Sequence, residues 1–259
     1  MIRLPVGPQV GVLVALWRLV RLVTHLVAGA WTMHRTFPKL SASQKEERIQ
    51  AWALDFIGCI AIDLVVKGVP APKGPLLIAS NHISWLDIVV LHAARYCRFV
   101  SKSELSRWPL VGTLATGAGT LYIERESRRD AMRVVHQMAQ GLRDGDVLAV
   151  FPEGTTSDGV DLLPFHANLL QAAISAEAPV QPLALSFQTA PDGVISFAPS
   201  FVGDDTLVAS IWRTLRAKDV VAVLHFGVPQ TANGRDRRTW AADLRNDIRQ
   251  LKGAVKLPG

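Results

Sequence analysis

The chain has 259 residues, enough for one large α/β domain with a generous core and short for two full domains joined by a linker. At 49% apolar residues it is greasier than most soluble enzymes, yet it lacks the repeated long apolar runs of a polytopic membrane protein, which predicts a protein that touches a bilayer. Lys and Arg exceed Asp and Glu by 28 to 22, a net charge of +6 that suits anionic partners, while Cys59 and Cys97, its two cysteines, lack the spacing of a zinc or redox motif and fit a reducing, cytoplasmic setting.

Residues 8–31 have about the length of a bilayer span, but Arg18 and Arg21 interrupt the apolar stretch, which favours an interfacial helix over a span, and no small-residue cleavage site follows, so a signal peptide is not expected. Val12, Leu16, Leu19, Val23 and Leu26 share one helical face, and Arg18, Arg21 and His25 fall on another. That pattern predicts an interfacial or half-inserted helix with its cations among lipid head groups; it also fits a helix packed on the protein's own core. A second helix is expected to begin near Ser43, where Ser43 and Glu46 form a capping-box pattern, and to continue through Leu64. Together the two predict a membrane-contacting helical hairpin over residues 1–63, ahead of an α/β domain over residues 64–259.

Beyond the hairpin, short β-rich runs alternate with helical patterns. Residues 76–80, 98–101, 120–124, 147–151, 180–187 and 220–226 read as buried strands; 85–95, 128–142, 166–176, 208–217 and about 236–251 read as helices. The expected fold is a mixed, largely parallel sheet flanked by helices on both faces.

The segment 76–94, LLIASNHISWLDIVVLHAA, carries the most chemistry. A strand ends at Ser80, Ser84 is the expected N-cap of the next helix, and His82 lies in the turn between them. On one continuous helix His82 and Asp87 diverge, but a His folding back from the turn reaches an Asp in the first helical turn. A carboxylate on one ring nitrogen fixes the tautomer and raises the basicity of the other, as a general base for a hydroxyl requires.

Asn81-His82, four residues, then Asp87 resembles the first motif, HX4D, of the glycerolipid acyltransferases related to 1-acylglycerol-3-phosphate acyltransferase. Residues 119–125, GTLYIER, resemble the second motif of that family; Phe151-Pro152-Glu153-Gly154-Thr155 resembles the third and Val180-Gln181-Pro182-Leu183 the fourth. The resemblance spans residues 64–230. It implies transfer of a fatty acyl group from acyl-carrier protein or acyl-coenzyme A to a lysolipid hydroxyl, most simply 1-acylglycerol-3-phosphate, with no metal, no cofactor beyond the thioester co-substrate and no nucleic-acid partner. The implied partners are membrane lipids and the thioester carrier, and the implied location is the cytoplasmic face of the inner membrane.

His82 and Asp87 are then the catalytic pair. Arg125, near Arg128 and Arg129 at a helix start, is the expected phosphate clamp, since a guanidinium fork matches phosphate oxygens. Glu153 is expected to hold a glycerol hydroxyl or orient Arg125, with Gly154, Thr155 and Thr156 as backbone and hydroxyl donors. Lys102, Glu104 and residues 108–110, WPL, fit the rim of the site in such a family or a surface helix. Position 156 is Thr where many relatives carry Arg, which keeps a lyso-ornithine lipid open as acceptor. A non-catalytic lipid-binding protein of the same fold and a hydrolase using Ser80 or Ser84 are further alternatives; the intact pair argues against the first and the lack of a Gly-x-Ser-x-Gly elbow against the second.

Overall fold

The computed structural model describes residues 7–123, 128–190 and 192–253. Two helices come first, α1 (Val12–Arg35) and α2 (Ala42–Cys59). Strands and helices then alternate: β1 (Ile62–Lys67), β2 (Leu76–Ser80), α3 (Asp87–Ala94), β3 (Arg98–Lys102), α4 (Val111–Gly117), β4 (Leu121–Ile123), α5 (Arg128–Arg143) and β5 (Val147–Val150). The chain closes with α6 (Leu170–Ser175), β6 (Val180–Thr189), β7 (Val194–Ile195), α7 (Leu207–Arg216), β8 (Val220–Phe226) and α8 (Arg237–Gly253).

Among the described residues the strands form one sheet in the order β1-β8-β6-β2-β5-β3-β4, with β7 attached to β6. β2 runs parallel to β5 and β6, β3 is parallel to β5 and β4, and β1 is parallel to β8; β6 is antiparallel to β8 and β7. The expected mixed, largely parallel sheet is therefore present. Successive residues of β2 face opposite layers: Leu76 and Ile78 pack with Phe56 of α2, Leu91 of α3 and Leu215 of α7, while Leu77 and Ala79 pack with Met138 of α5, Ala172 of α6 and Trp240 of α8. Burial on both faces is why β2 and β8 are nearly continuous apolar runs rather than alternating ones, whereas β6, equally buried, also carries Gln181, Ser186 and Gln188.

Several local expectations need correction. Helix α2 begins two residues earlier than expected, because Ser41 rather than Ser43 forms the capping box: its side chain accepts from Gln44 N, and the Gln44 side chain accepts from Ser41 N. It also stops at Cys59 instead of continuing through Leu64, and Ile62–Lys67 forms the edge strand β1, whose β-branched residues pair with β8. The helix after β2 starts at Asp87, with Leu86 rather than Ser84 at the N-cap.

The hairpin does not stand apart from the sheet. Ala15 and Leu22 of α1 lie in the same apolar cluster as Phe56, Leu183 and Leu224. Arg18, expected among lipid head groups, is only 9% exposed, and its Nη1 donates to the carbonyls of Leu215 (2.9 Å) and Ala217 (2.6 Å) at the end of α7. Those carbonyls have no partner within their own helix, and a cation at the negative end of the helix dipole satisfies both needs. His25 is likewise turned inward, bonded to the Trp52 carbonyl at 2.9 Å and stacked on the Trp52 ring. Arg21 stays exposed. On the outer side of α1, Leu13, Trp17, Val20, Val27 and Trp31 are exposed, at spacings of four, three, seven and four residues that keep them on one face. By length and composition α1 is apolar enough to cross a membrane.

Candidate active site

The site forms where β2 ends. Three hydrogen bonds converge on Asp87 Oδ2: from His82 Nδ1 at 2.7 Å, Ile83 N at 2.6 Å and Ser84 N at 2.9 Å. Asp87 is fully buried, at the first residue of α3, where the helix dipole favours a negative charge. Its carboxylate thus folds the turn 82–84 back over the helix start and seizes the imidazole in the same act. With Nδ1–H donated to the carboxylate, Nε2 keeps a lone pair for an incoming hydroxyl. The His82 side chain is 20% exposed, so solvent or substrate reaches it from one side.

The other faces of His82 are packed and bonded. Its ring stacks on Phe151 with centroids 4.0 Å apart and planes at 7°, and Phe151 in turn stacks on Phe99 at 5.7 Å. Its backbone N–H donates to Glu153 Oε1 at 3.3 Å, and its carbonyl accepts from Ser157 N at 2.8 Å. Asn81, fully buried, bonds the backbone of β6 in both directions: Nδ2 donates to Leu185 O at 3.0 Å and Oδ1 accepts from Leu185 N at 2.8 Å. The β2–β6 ladder runs out at Ser80–Leu183, and this amide takes over where it stops. The roles of Asn81 and Phe151 were not assigned from the sequence, although both lie inside the motifs singled out there.

Glu153 is only 3% exposed, and Oε2 has no hydrogen-bond partner among the described residues. Burial pushes its carboxyl up to about 7, against the backbone N–H groups of His82 and Leu163, which pull it down. It acts here as a brace for the His82 backbone, a role not anticipated for it. Gly154 adopts φ +69°, the left-handed region, and its N–H is spent on the Phe151 carbonyl at 3.0 Å. The Thr156 hydroxyl donates to the Phe201 carbonyl and so ties the 153–157 loop to the segment after β7. Thr155 is exposed. Arg125 lies outside the described residues, and Arg128 and Arg129 open α5.

Ser80 and Ser84, the possible hydrolase nucleophiles, are buried, and their hydroxyls donate to the carbonyls of Asn81 and Pro199. Neither is bonded to His82, which argues against that chemistry. Among the described residues no three His, Cys, Asp or Glu side chains gather in a way that could hold a metal ion. Lys102 and Glu104 are exposed at the end of β3 and in the following 3₁₀ turn, and Trp108 is 47% exposed just before α4.

Comparison with known proteins gives a consistent picture. The family model described as "Acyltransferase" matches residues 42–186. A lyso-ornithine lipid O-acyltransferase of Pseudomonas aeruginosa is 35% identical over 223 residues, 85% of either chain. A 1-acyl-sn-glycerol-3-phosphate acyltransferase of Neisseria gonorrhoeae is 36% identical over 195 residues, 74% of this chain and 76% of the other. The crystal structure of the 1-acyl-sn-glycerophosphate (LPA) acyltransferase PlsC from Thermotoga maritima shares the fold, with a TM-score of 0.66, 18% identity, and coverage of 94% of this chain and 97% of that one. With a buried carboxylate orienting a partly exposed imidazole inside the matched region, this chain belongs to the acyltransferase family.

Proposed function

We propose that the chain transfers a fatty acyl group from an acyl thioester, carried by acyl-carrier protein or coenzyme A, to the free hydroxyl of a lysolipid. One observation carries the reading: His82 Nδ1 is held at 2.7 Å by buried Asp87, which leaves Nε2 as a base on the open side. The hydroxyl gives its proton to Nε2 while its oxygen attacks the thioester carbonyl. The tetrahedral intermediate then expels the thiolate, which takes the proton from Nε2; an ester forms and a thioester breaks. Asp87 stabilises the transient imidazolium without itself gaining a proton. The crevice beyond the carboxyl ends of the parallel strands is where an α/β sheet of this kind accommodates ligands. The exposed apolar stripe on α1 supports membrane contact, and its inner side, packed on the protein, favours a helix lying in the interface over one crossing it; the cytoplasmic face is the location this reading assigns, on the side of the thioester carrier.

The first acceptor in this reading is 1-acylglycerol-3-phosphate, with Arg125 as the phosphate clamp. A lyso-ornithine lipid is the second, favoured by the absence of a cation at position 156 and by the inward turn of the Thr156 hydroxyl. Incubation of purified protein with labelled acyl thioester and both lysolipids, with products identified by mass, tests the reading. Diacylated product from one acceptor is expected, and no acyl transfer to any lysolipid would end it. Arg125→Ala should raise KM for 1-acylglycerol-3-phosphate while sparing the thioester. Thr156→Arg should help only a phosphate-bearing acceptor.

A further inference from the structure

The loop from Phe151 to Phe165 is held against the C-terminal helix by an arrangement that the reaction itself does not require. Two cations of α8, Arg245 and Lys252, are seven residues apart and so share one face of the helix. Arg245 donates through Nε to Leu163 O at 2.9 Å and through Nη2 to Leu162 O. Lys252 Nζ donates to Val160 O at 2.6 Å and to Gly159 O. Between the two cations, Ile248 packs with Leu162 and Ala184 in a small apolar cluster, and all three are almost fully buried. Four carbonyls of a five-residue stretch that lacks helix or strand are therefore satisfied by one helix face.

The same loop grips His82. Ser157 donates to the His82 carbonyl, Glu153 accepts from the His82 N–H, and Gly159 lies so close to Ile83 that a Cβ there would sit 2.8 Å from Ile83 Cδ1. His82 is thus fastened on both sides of its α-carbon to a segment whose far end is anchored on α8. We propose that Arg245 and Lys252 are positioning residues for the acyl-transfer centre, acting through loop 153–163 to hold the His82 backbone in the geometry that presents Nε2. The proposal rests on the reading of His82 as the general base. A misplacement of about 1 Å at a reacting group costs about 10²-fold in rate, so a strap of this kind governs turnover more than affinity.

The test uses the full chain and the variants Arg245→Met, Lys252→Met and their double, each keeping much of the aliphatic stem. Arg249→Met, an exposed cation on the same helix bonded to Asn246, serves as the control. For the double variant kcat should fall about 10-fold or more, with the KM of thioester and lysolipid each within about twofold of wild type. Arg245→Lys and Lys252→Arg should restore part of it. Hydrogen exchange, which needs no activity, should rise in peptides covering 82–84 and 153–163 and stay unchanged in β8 and α5. A double variant that keeps more than half of the wild-type kcat with unchanged exchange in those peptides would overturn the strap. So would a uniform rise in exchange across the molecule, which would mark a merely structural role. If wild type transfers no acyl group, the functional reading fails, while the exchange data still judge the strap on their own.

Discussion

Replacing Glu153 by Gln should abolish a pH dependence of stability that one buried carboxyl imposes. Burial raises that carboxyl from the ordinary 4.5 to about 7, so the folded protein holds the proton more tightly than the unfolded chain. The stability tied to the protonated form is then whole below pH about 4.5 and is lost as the pH rises through about 7. The gap corresponds to about 3 kcal/mol, of which about 2 to 3 kcal/mol falls between pH 5 and pH 8. His92 works in the opposite direction: burial lowers it to about 4 from 6.5, so its contribution is lost as the pH falls from 6.5 through 4. The two slopes oppose each other between about pH 4.5 and pH 6.5, and a wild-type curve alone hides both. Glu153→Gln keeps the shape, removes the titration and leaves His92 in place, so the difference between the two proteins isolates the carboxyl. Urea unfolding at about pH 5 and about pH 8 should show wild type losing about 2 to 3 kcal/mol more than the variant across that interval. Parallel loss within about 0.5 kcal/mol would refute the assignment of a buried, proton-holding Glu153.

Four other substitutions follow from the geometry. His82→Ala should lower acyl transfer by about 10² to 10⁴ while the circular-dichroism spectrum is retained, and survival of more than about a tenth of turnover would remove it as the base. Asp87→Asn should be severely slowed in the same assay, since an amide can hold the ring yet cannot stabilise imidazolium; a normal rate would reduce Asp87 to a brace for the 82–84 turn. Arg18→Met should destabilise the fold by about 2 kcal/mol in urea titration, because two helix-end carbonyls lose a charged donor, whereas Arg21→Met should leave stability alone and weaken co-sedimentation with anionic liposomes by about 1 kcal/mol. Equal stabilities for the two Arg variants would contradict the inward placement of Arg18.

How legible each part was in the sequence follows from the range of the interactions that form it. β2 and β8 are buried on both faces, and a nearly unbroken apolar run is itself the signal; in β6 the signal is the apolar stretch Leu183–Leu185 between Gln181 and Ser186. β1 is an edge strand whose exposed and buried residues mix, and it follows α2 after only two intervening residues, so helical periodicity was carried across it. His82 and Asp87 could be paired because five residues separate them. Asn81 and Leu185, 104 residues apart, meet only when β2 and β6 lie side by side. Arg18 reads as a head-group cation in a linear sequence; its partners are 197 and 199 residues away, on α7 and its C-cap. Thr156 was visible as a departure from the family pattern, but the direction of its hydroxyl depends on Phe201.

The fastening of α1 through Arg18 has a kinetic consequence. A helix that carries its apolar stripe outward while bolted to the end of α7 cannot roll or tilt independently of the sheet. If that stripe rests in a lipid interface, the height of His82 above the lipid is set once, by the rigid body, for every turnover. The acceptor then arrives by lateral diffusion within the leaflet, and the rate follows its mole fraction among the surrounding lipids rather than its bulk concentration. Diluting a lysolipid with inert lipid at constant total amount should slow such an enzyme, whereas diluting the whole suspension should not.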